Sequence, residues 1–261
     1  MDWTDLSPFA NLATSDLLGT FVGRDEQLSA IRDAFNVGAQ GVVIVGSPGS
    51  GKSSLARFYA SRADDLFPGG IFEASAARFE ASDDLFSRLG LSPVSRDSLL
   101  ILDDAETLDR YSGERLQQLL RQYLSIKVLL TSRRPFDVPG FRTVHLPSAL
   151  SQREFIELLR RRNAFVHGPV SDQLMDRLYR VAGGNALFAN VASAAILDRS
   201  VSSWDELLAR LHRFETPGLV GPDGNPLDPQ SNDYNRIVVD ISSVNEELLR
   251  QLKRDPEVIW K

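Results

Sequence analysis

Five short apolar runs punctuate the first 150 residues, and most are separated by stretches whose apolar positions recur at helical spacing. The most uniform run is Gly41-Val42-Val43-Ile44-Val45. A β-branched segment with no polar alternation is the signature of a strand covered on both faces, as in a parallel sheet. Gly70-Ile71-Phe72-Glu73-Ala74, Leu99-Leu100-Ile101-Leu102 and Ile126-Lys127-Val128-Leu129-Leu130 have the same character, and Arg142-Thr143-Val144-His145-Leu146 is a weaker example. Helical patterns run from Asp25 to Phe35, with Leu28, Ile31 and Phe35 in phase, and from Ser53 to Arg62, Ser82 to Leu89 and Glu114 to Tyr123. Strands alternating with helices predict an α/β fold: a five-stranded parallel sheet with right-handed crossovers.

The pattern changes at Ser151, after which helices dominate. Ser151-Gln152-Arg153-Glu154 is a capping box, in which the serine hydroxyl and the glutamate carboxylate satisfy backbone N–H groups that lack helical acceptors. The helix it opens is predicted to reach Asn163, followed by helices over Ser171–Ala182 and Ala186–Ile196 and a fourth, capped at Ser203-Trp204-Asp205-Glu206, ending near Arg213. Residues 216–235 are rich in Gly, Pro, Asn and Asp and read as a linker. A strand, Arg236–Ile241, and a helix capped by Ser243-Val244-Asn245-Glu246 follow.

Composition narrows the class. Of 261 residues, 43% are apolar and 25% charged, an ordinary balance for a globular chain. The net charge of −6 argues against a surface built to coat nucleic acid, leaving only local basic patches such as Arg160-Arg161-Arg162 to contact DNA phosphates. That triplet reads first as a solvated helix end complementing the helix dipole. The absence of cysteine excludes disulfides and thiolate metal sites. His145, His167 and His212 lack metal-ligand spacing. No apolar run approaches the ~20 residues that span a bilayer, and Met1-Asp2-Trp3-Thr4-Asp5 does not open a secretory signal, so a cytoplasmic location without membrane contact is expected.

One motif carries chemistry. Gly46-Ser47-Pro48-Gly49-Ser50-Gly51-Lys52-Ser53 fits G-x-x-x-x-G-K-[ST], between a buried-type strand and a helix. The glycines let successive N–H groups turn toward phosphates at a helix N-terminus. Gly46, Pro48, Gly49, Ser50, Gly51, Lys52, Ser53 and the adjoining Ser54 are the candidate phosphate cradle, with Lys52 reaching the β- and γ-phosphates and Ser53 coordinating Mg²⁺. ATP/ADP and Mg²⁺ are the expected ligands; GTP is not excluded, although no Asn-Lys-x-Asp guanine reader occurs.

Such a cradle needs a carboxylate at a neighbouring strand end. Leu99-Leu100-Ile101-Leu102-Asp103-Asp104 supplies two: Asp103 as the Mg²⁺ candidate, and Asp104 for polarising the attacking water, with Glu106 as its substitute. The next strand ends Leu130-Thr131-Ser132-Arg133-Arg134, which puts a polar residue or an arginine where a γ-phosphate is sensed, because ligands of such sheets bind at the carboxyl ends of strands.

Phe21-Val22-Gly23-Arg24-Asp25-Glu26-Gln27-Leu28 resembles the Phe-Val-Gly-Arg-Glu-x-x-Leu box of STAND-class ATPases, AAA+-related signalling NTPases that include the NB-ARC proteins. Val128 to Arg133 resembles their sensor strand, His145 to Leu150 their fifth strand and the turn into a helical domain, and Gly183-Gly184-Asn185-Ala186-Leu187 their Gly-Gly-Asn-Pro-Leu box. The resemblance spans roughly residues 20–215. It implies that Val22, Gly23 and Arg24 contact base or ribose, and that Arg133 senses the γ-phosphate. Ala186 departs from the pattern, standing where the family's base-contacting proline would be.

The expected organisation is a lead-in over 1–19, a P-loop NTPase core over 20–147, a helical lid domain over 148–215, the linker 216–235 and a strand–helix segment over 236–261. This last segment, with Val244 to Leu252 and Asp255-Pro256-Glu257, resembles the lead-in of Mrr-type restriction-endonuclease-like proteins. Together these features imply a slowly hydrolysing ATPase switch, able to form homo-oligomers, that regulates an effector, a nuclease of bacterial antiviral defence by resemblance. The alternative is a non-hydrolysing, nucleotide-gated binding or oligomerisation module, since Asp104 stands where vigorous motors carry glutamate and no arginine finger acting in trans is identifiable.

Overall fold

The computed structural model describes residues 19–76, 96–108, 110–135, 138–162, 171–197 and 204. The chain divides into two compact units, Met1–Ser148 and Ala149–Lys261.

The first unit is built on the five-stranded sheet that the apolar runs predict. Its strands are β1 (Gly41–Val45), β2 (Ile71–Ser75), β3 (Ser98–Asp103), β4 (Ile126–Ser132) and β5 (Phe141–His145). They are all parallel, in the order β2-β3-β4-β1-β5. Helices α1 (Asp25–Asn36), α2 (Lys52–Arg62) and α3 (Arg110–Gln122) accompany them. The start of α3 precedes the periodic signal at Glu114, because Arg110-Tyr111-Ser112-Gly113 offers no aliphatic residue to set a phase. The helix expected over Ser82–Leu89 lies outside the described residues.

Alternate side chains of the strands serve two cores. Val42, Ile44, Leu99, Ile101, Leu129 and Val144 pack with Ile31 of α1 and Leu55, Ala56 and Tyr59 of α2. Val43, Val45, Leu100, Leu102, Val128 and Leu130 face the other way, with Leu116 and Leu120 of α3. Covering both faces is why β1, β3 and β4 lack polar alternation, and each buried Val, Leu or Ile contributes about 1.5–3 kcal/mol. Polarity cannot fix the register of such strands, so shape must. Gly41 pairs with Phe141 of β5, whose ring fills the space that a side chain at 41 would need.

In the second unit the capping box forms as expected. Ser151 Oγ accepts from Glu154 N at 3.3 Å, and Glu154 Oε2 accepts from Ser151 N at 2.7 Å, opening α4 (Gln152–Arg161). Arg160 and Arg161 occupy the last turn of that helix, where Arg161 pairs with Glu157 one turn earlier at 2.9 Å. Ser171 caps α5 (Asp172–Ala182), and Asn185 Oδ1 caps α6 (Ala186–Leu197) by accepting from Leu187 N and Phe188 N at 2.9 and 3.1 Å. The Gly-Gly-Asn box is thus a helix-to-helix turn. Gly184, with φ of 68°, lies so close to Leu150 that a Cβ would come within 2.6 Å of the Leu150 carbonyl oxygen. Ala186 is the first residue of α6, the position where proline is best tolerated, so the box has a local structural reason as well. The expectations for 203–213, 216–235 and 236–261 fall, Trp204 apart, outside the described residues.

Candidate nucleotide site

The carboxyl ends of β1, β3 and β4 lie side by side, and the chemistry-bearing residues gather there. Residues 46–51 lead from β1 to α2, and the loop is tied to β4 where Gly46 N donates to Ser132 O at 3.2 Å. Gly46 has no room for a side chain: a Cβ would meet Ser50 Oγ at 2.8 Å and Leu146 O at 3.0 Å. Gly51, with φ of 97°, makes the left-handed turn from which α2 starts, and its carbonyl accepts from Leu55 N at 2.8 Å. The amides of the first turn of α2, including Lys52, Ser53 and Ser54, therefore begin at the loop, with the positive end of the helix dipole behind them.

Lys52 is buried, and its Nζ donates back across the loop to Ser47 O at 3.1 Å. Burial pulls the ammonium below its ordinary proton affinity; the charge of Glu106 acts against this most strongly, while Arg133 adds to the lowering. Ser50 is buried as well, and its hydroxyl has no hydrogen-bond partner. A buried hydroxyl without a partner is costly in a loop that has no other use for it. Gly49 takes a left-handed conformation, with φ of 74°, and Pro48 is exposed on the rim.

Ser53 Oγ donates to Asp103 Oδ1 at 2.8 Å, so the hydroxyl and carboxylate expected to hold Mg²⁺ are neighbours. Asp103 Oδ1 also accepts a short hydrogen bond from the Thr131 hydroxyl, and Thr131 Oγ1 in turn accepts from Asp104 N at 3.1 Å. One hydroxyl plus one carboxylate suits Mg²⁺, which keeps several waters and takes few protein ligands. Asp104 sits in the left-handed region at φ of 57° and heads a short 3-10 turn, Ala105–Thr107. Partial desolvation of its carboxyl, together with the nearby charges of Asp103 and Glu106, pushes its pKa above the usual aspartate value, although the residue stays exposed.

Arg133 follows the last residue of β4, and its Nε pairs with Glu106 Oε1 at 2.8 Å. Its backbone N–H donates to the other oxygen of Glu106 at 3.2 Å. The Val22-Gly23-Arg24 box lies against the cradle. Val22 is buried, Gly23 and Arg24 both have positive φ, and Arg24 precedes α1. The Arg24 guanidinium donates to Pro147 O at 3.0 Å and to Ser50 O at 3.4 Å, bracing the cradle against the chain leaving β5.

Two features escape the sequence reading of the site. The deep placement of Thr131 is signalled only by two polar residues, Thr131 and Ser132, ending an apolar run, yet both are fully buried. A bidentate ion pair links Arg57, one turn after Ser53 on α2, to Glu73 of β2, with Nη2–Oε1 at 2.6 Å and Nε–Oε2 at 3.1 Å. Its trace in the sequence is a lone acid, Glu73, inside an apolar strand.

Fold and loop together define a P-loop NTPase α/β domain. Residues 20–92 match the family described as AAA ATPase domain. Among solved structures, the chain is similar to the Thermotoga maritima RuvB Holliday junction branch migration motor, at 16% identity over 76% of this chain and 73% of that one, with a TM-score of 0.55. It is similar to a Walker-type ATPase of Pyrococcus abyssi at 12% identity over 91% and 77%, with a TM-score of 0.54. It is also similar to AMPPCP-bound DnaA from Aquifex aeolicus, at 16% identity over 76% and 68%, with a TM-score of 0.53. At such identities the likeness is one of fold. No curated protein matches the sequence. Among the described residues, no helix is long and apolar enough to cross a membrane.

Proposed function

We propose that this protein binds ATP and ADP and hydrolyses ATP slowly, as a cytoplasmic switch of the STAND kind that regulates an effector. The observation that carries the reading is the cradle itself: a partnerless buried hydroxyl at Ser50, a buried Lys52 and the Ser53–Asp103 pair at the start of one helix. The residues have distinct tasks. Amides of residues 49–54 bind the phosphates, Lys52 neutralises the β- and γ-phosphates, and Ser53 and Asp103 hold Mg²⁺. Held by Ser53 and Asp103, Mg²⁺ would supply positive charge to offset the phosphate charge. Asp104 polarises the attacking water, and its proton affinity is raised above that of an ordinary aspartate. Arg133 contacts the γ-phosphate, and the Val22-Gly23-Arg24 box faces base or ribose.

The segments over 20–147 and 148–215 act in this reading as core and lid, and nucleotide promotes assembly with further copies. The effector is a nuclease of bacterial antiviral defence, a reading supported by the resemblance of residues 236–261 to an Mrr-type lead-in. A second reading, a nucleotide-gated module without turnover, is favoured by the engagement of Arg133 with Glu106 and by the short reach of an aspartate at 104.

Mg²⁺-dependent phosphate release, measured against Lys52→Ala as the baseline, separates the two. Release at least tenfold above that baseline supports the switch with turnover. Tight binding with release equal to the baseline supports the gated module, and no binding of any nucleotide removes both. Mass spectrometry of co-purifying nucleotide and mass photometry on the same sample identify the base and the assembly state. A parent gene with no nuclease domain and no neighbouring nuclease gene removes the proposed effector.

A further inference from the structure

The Glu106–Arg133 contact is a clasp rather than a chance surface pair. Glu106 spends one carboxylate oxygen on the guanidinium and the other on the backbone N–H of the same residue, at 2.8 and 3.2 Å. The glutamate is mostly buried, 19% exposed, whereas the arginine is 55% exposed. The anchor is therefore fixed and the cation is the partner free to swing. Glu106 lies in the 3-10 turn headed by Asp104, so the clasp begins two residues from the proposed base. Arg133 follows the residue that ties β4 to the cradle. Ser132 pairs with Val45, and Ser132 O holds Gly46 N at 3.2 Å, so Arg133 departs from the row where the P-loop begins. Lys52 lies within electrostatic range of both members of the pair.

We propose that Glu106 is a specificity-determining residue: it keeps Arg133 engaged unless a nucleotide offers a terminal phosphate that competes for the guanidinium. This rests on the nucleotide-binding reading above and adds a discrimination step to it. The chemistry is an exchange of anions on one cation. Guanidinium binds carboxylate and phosphate with the same planar fork, so a γ-phosphate can replace Glu106 where a diphosphate has nothing in reach. Glu106 then stands uncompensated beside the phosphates, so opening the clasp costs affinity. That cost falls on the triphosphate alone, and Glu106 acts as a threshold on ATP.

The test is equilibrium binding of fluorescent ATP and ADP analogues in Mg²⁺, with wild type, Glu106→Gln, Glu106→Ala, Arg133→Gln and the Glu106→Gln/Arg133→Gln double variant. An exposed or half-exposed ion pair shifts an equilibrium by up to about fivefold. Glu106→Gln is therefore expected to tighten ATP about three- to fivefold while moving ADP less than twofold. Glu106→Ala repeats the result without the isostere. In the Arg133→Gln background the gain is expected to vanish, because the glutamate acts through the arginine. Equal tightening of ATP and ADP, no tightening, or a gain that survives Arg133→Gln each overturns the proposal while leaving nucleotide binding intact. Absence of binding by wild type overturns the nucleotide reading itself, and the clasp proposal falls with it.

Discussion

Thr131 of β4 reaches across to β3, where its hydroxyl donates to Asp103 Oδ1 and accepts the backbone N–H of Asp104 at 3.1 Å. A single buried hydroxyl thus orients the proposed metal carboxylate and fixes the left-handed backbone of the proposed base. Thr131→Val keeps the shape but strands an N–H donor and loosens the carboxylate. The expected cost is about 1–3 kcal/mol in urea unfolding. Nucleotide affinity in Mg²⁺ is expected to weaken severalfold, with a smaller change in EDTA. Equal weakening with and without Mg²⁺ would show that Thr131 does not act through Asp103.

Arg57 and Glu73 tie α2 to the edge strand β2. The hydrogen-bonded carboxylate holds the guanidinium proton more tightly than usual, and Glu73 is only 9% exposed. Arg57→Met leaves that carboxylate buried without its partner, at an expected cost of about 1.5–3 kcal/mol. Because much of the penalty is the orphaned charge, Glu73→Leu added to Arg57→Met is expected to restore part of the loss. Chemical denaturation of the two single variants and the double variant measures the coupling, and strict additivity argues against a working pair.

The capping box at Ser151 makes a local prediction in the second unit. Ser151→Ala removes the acceptor for Glu154 N and is expected to cost about 1 kcal/mol. Hydrogen exchange of the first-turn amides of α4 is expected to accelerate, while β-sheet amides of the first unit are unchanged.

Asp104 gives a pH dependence whose sign can be worked out. Its pKa in the folded chain is raised, so between the ordinary aspartate value and the raised one the folded state holds more protons than the unfolded state. Stability therefore falls as pH rises through that window. Asp104→Asn is expected to lack this part of the slope, so the pH profiles of the two proteins converge below the ordinary aspartate value and separate above it. Phosphate release, if Asp104 is the base, moves oppositely: it rises with pH through the raised pKa and is lost in Asp104→Asn. Parallel stability profiles for the two proteins would argue against a raised Asp104.

Much of this architecture was legible in one dimension. The continuous apolar runs located β1, β3 and β4, because a strand covered on both faces has no polar alternation to confuse with a turn, whereas β5, in which Val144 is the buried residue, left a weaker trace. The cradle was legible for a related reason: backbone curvature demands glycine at fixed spacing, and the helix start fixes where Lys52 must fall. The cap at Ser151 depends on residues three apart and needs no tertiary contact.

What the tertiary structure decided are the pairings between distant residues. Sequence chemistry offered Arg133 as a sensor and Glu106 as a spare acid, but only the adjacency of β3 and β4 joins them. Arg24 reads as a box residue, yet folding directs its guanidinium to the Ser50 and Pro147 carbonyls. Thr131 was legible only as a polar strand end, and Arg57 not at all, until neighbouring strands supplied Asp103 and Glu73. Local rules act over a few residues and leave a periodic trace. Hydrogen bonds and ion pairs act over a few ångströms, and the sheet order that brings their partners within reach is set by packing of the whole domain.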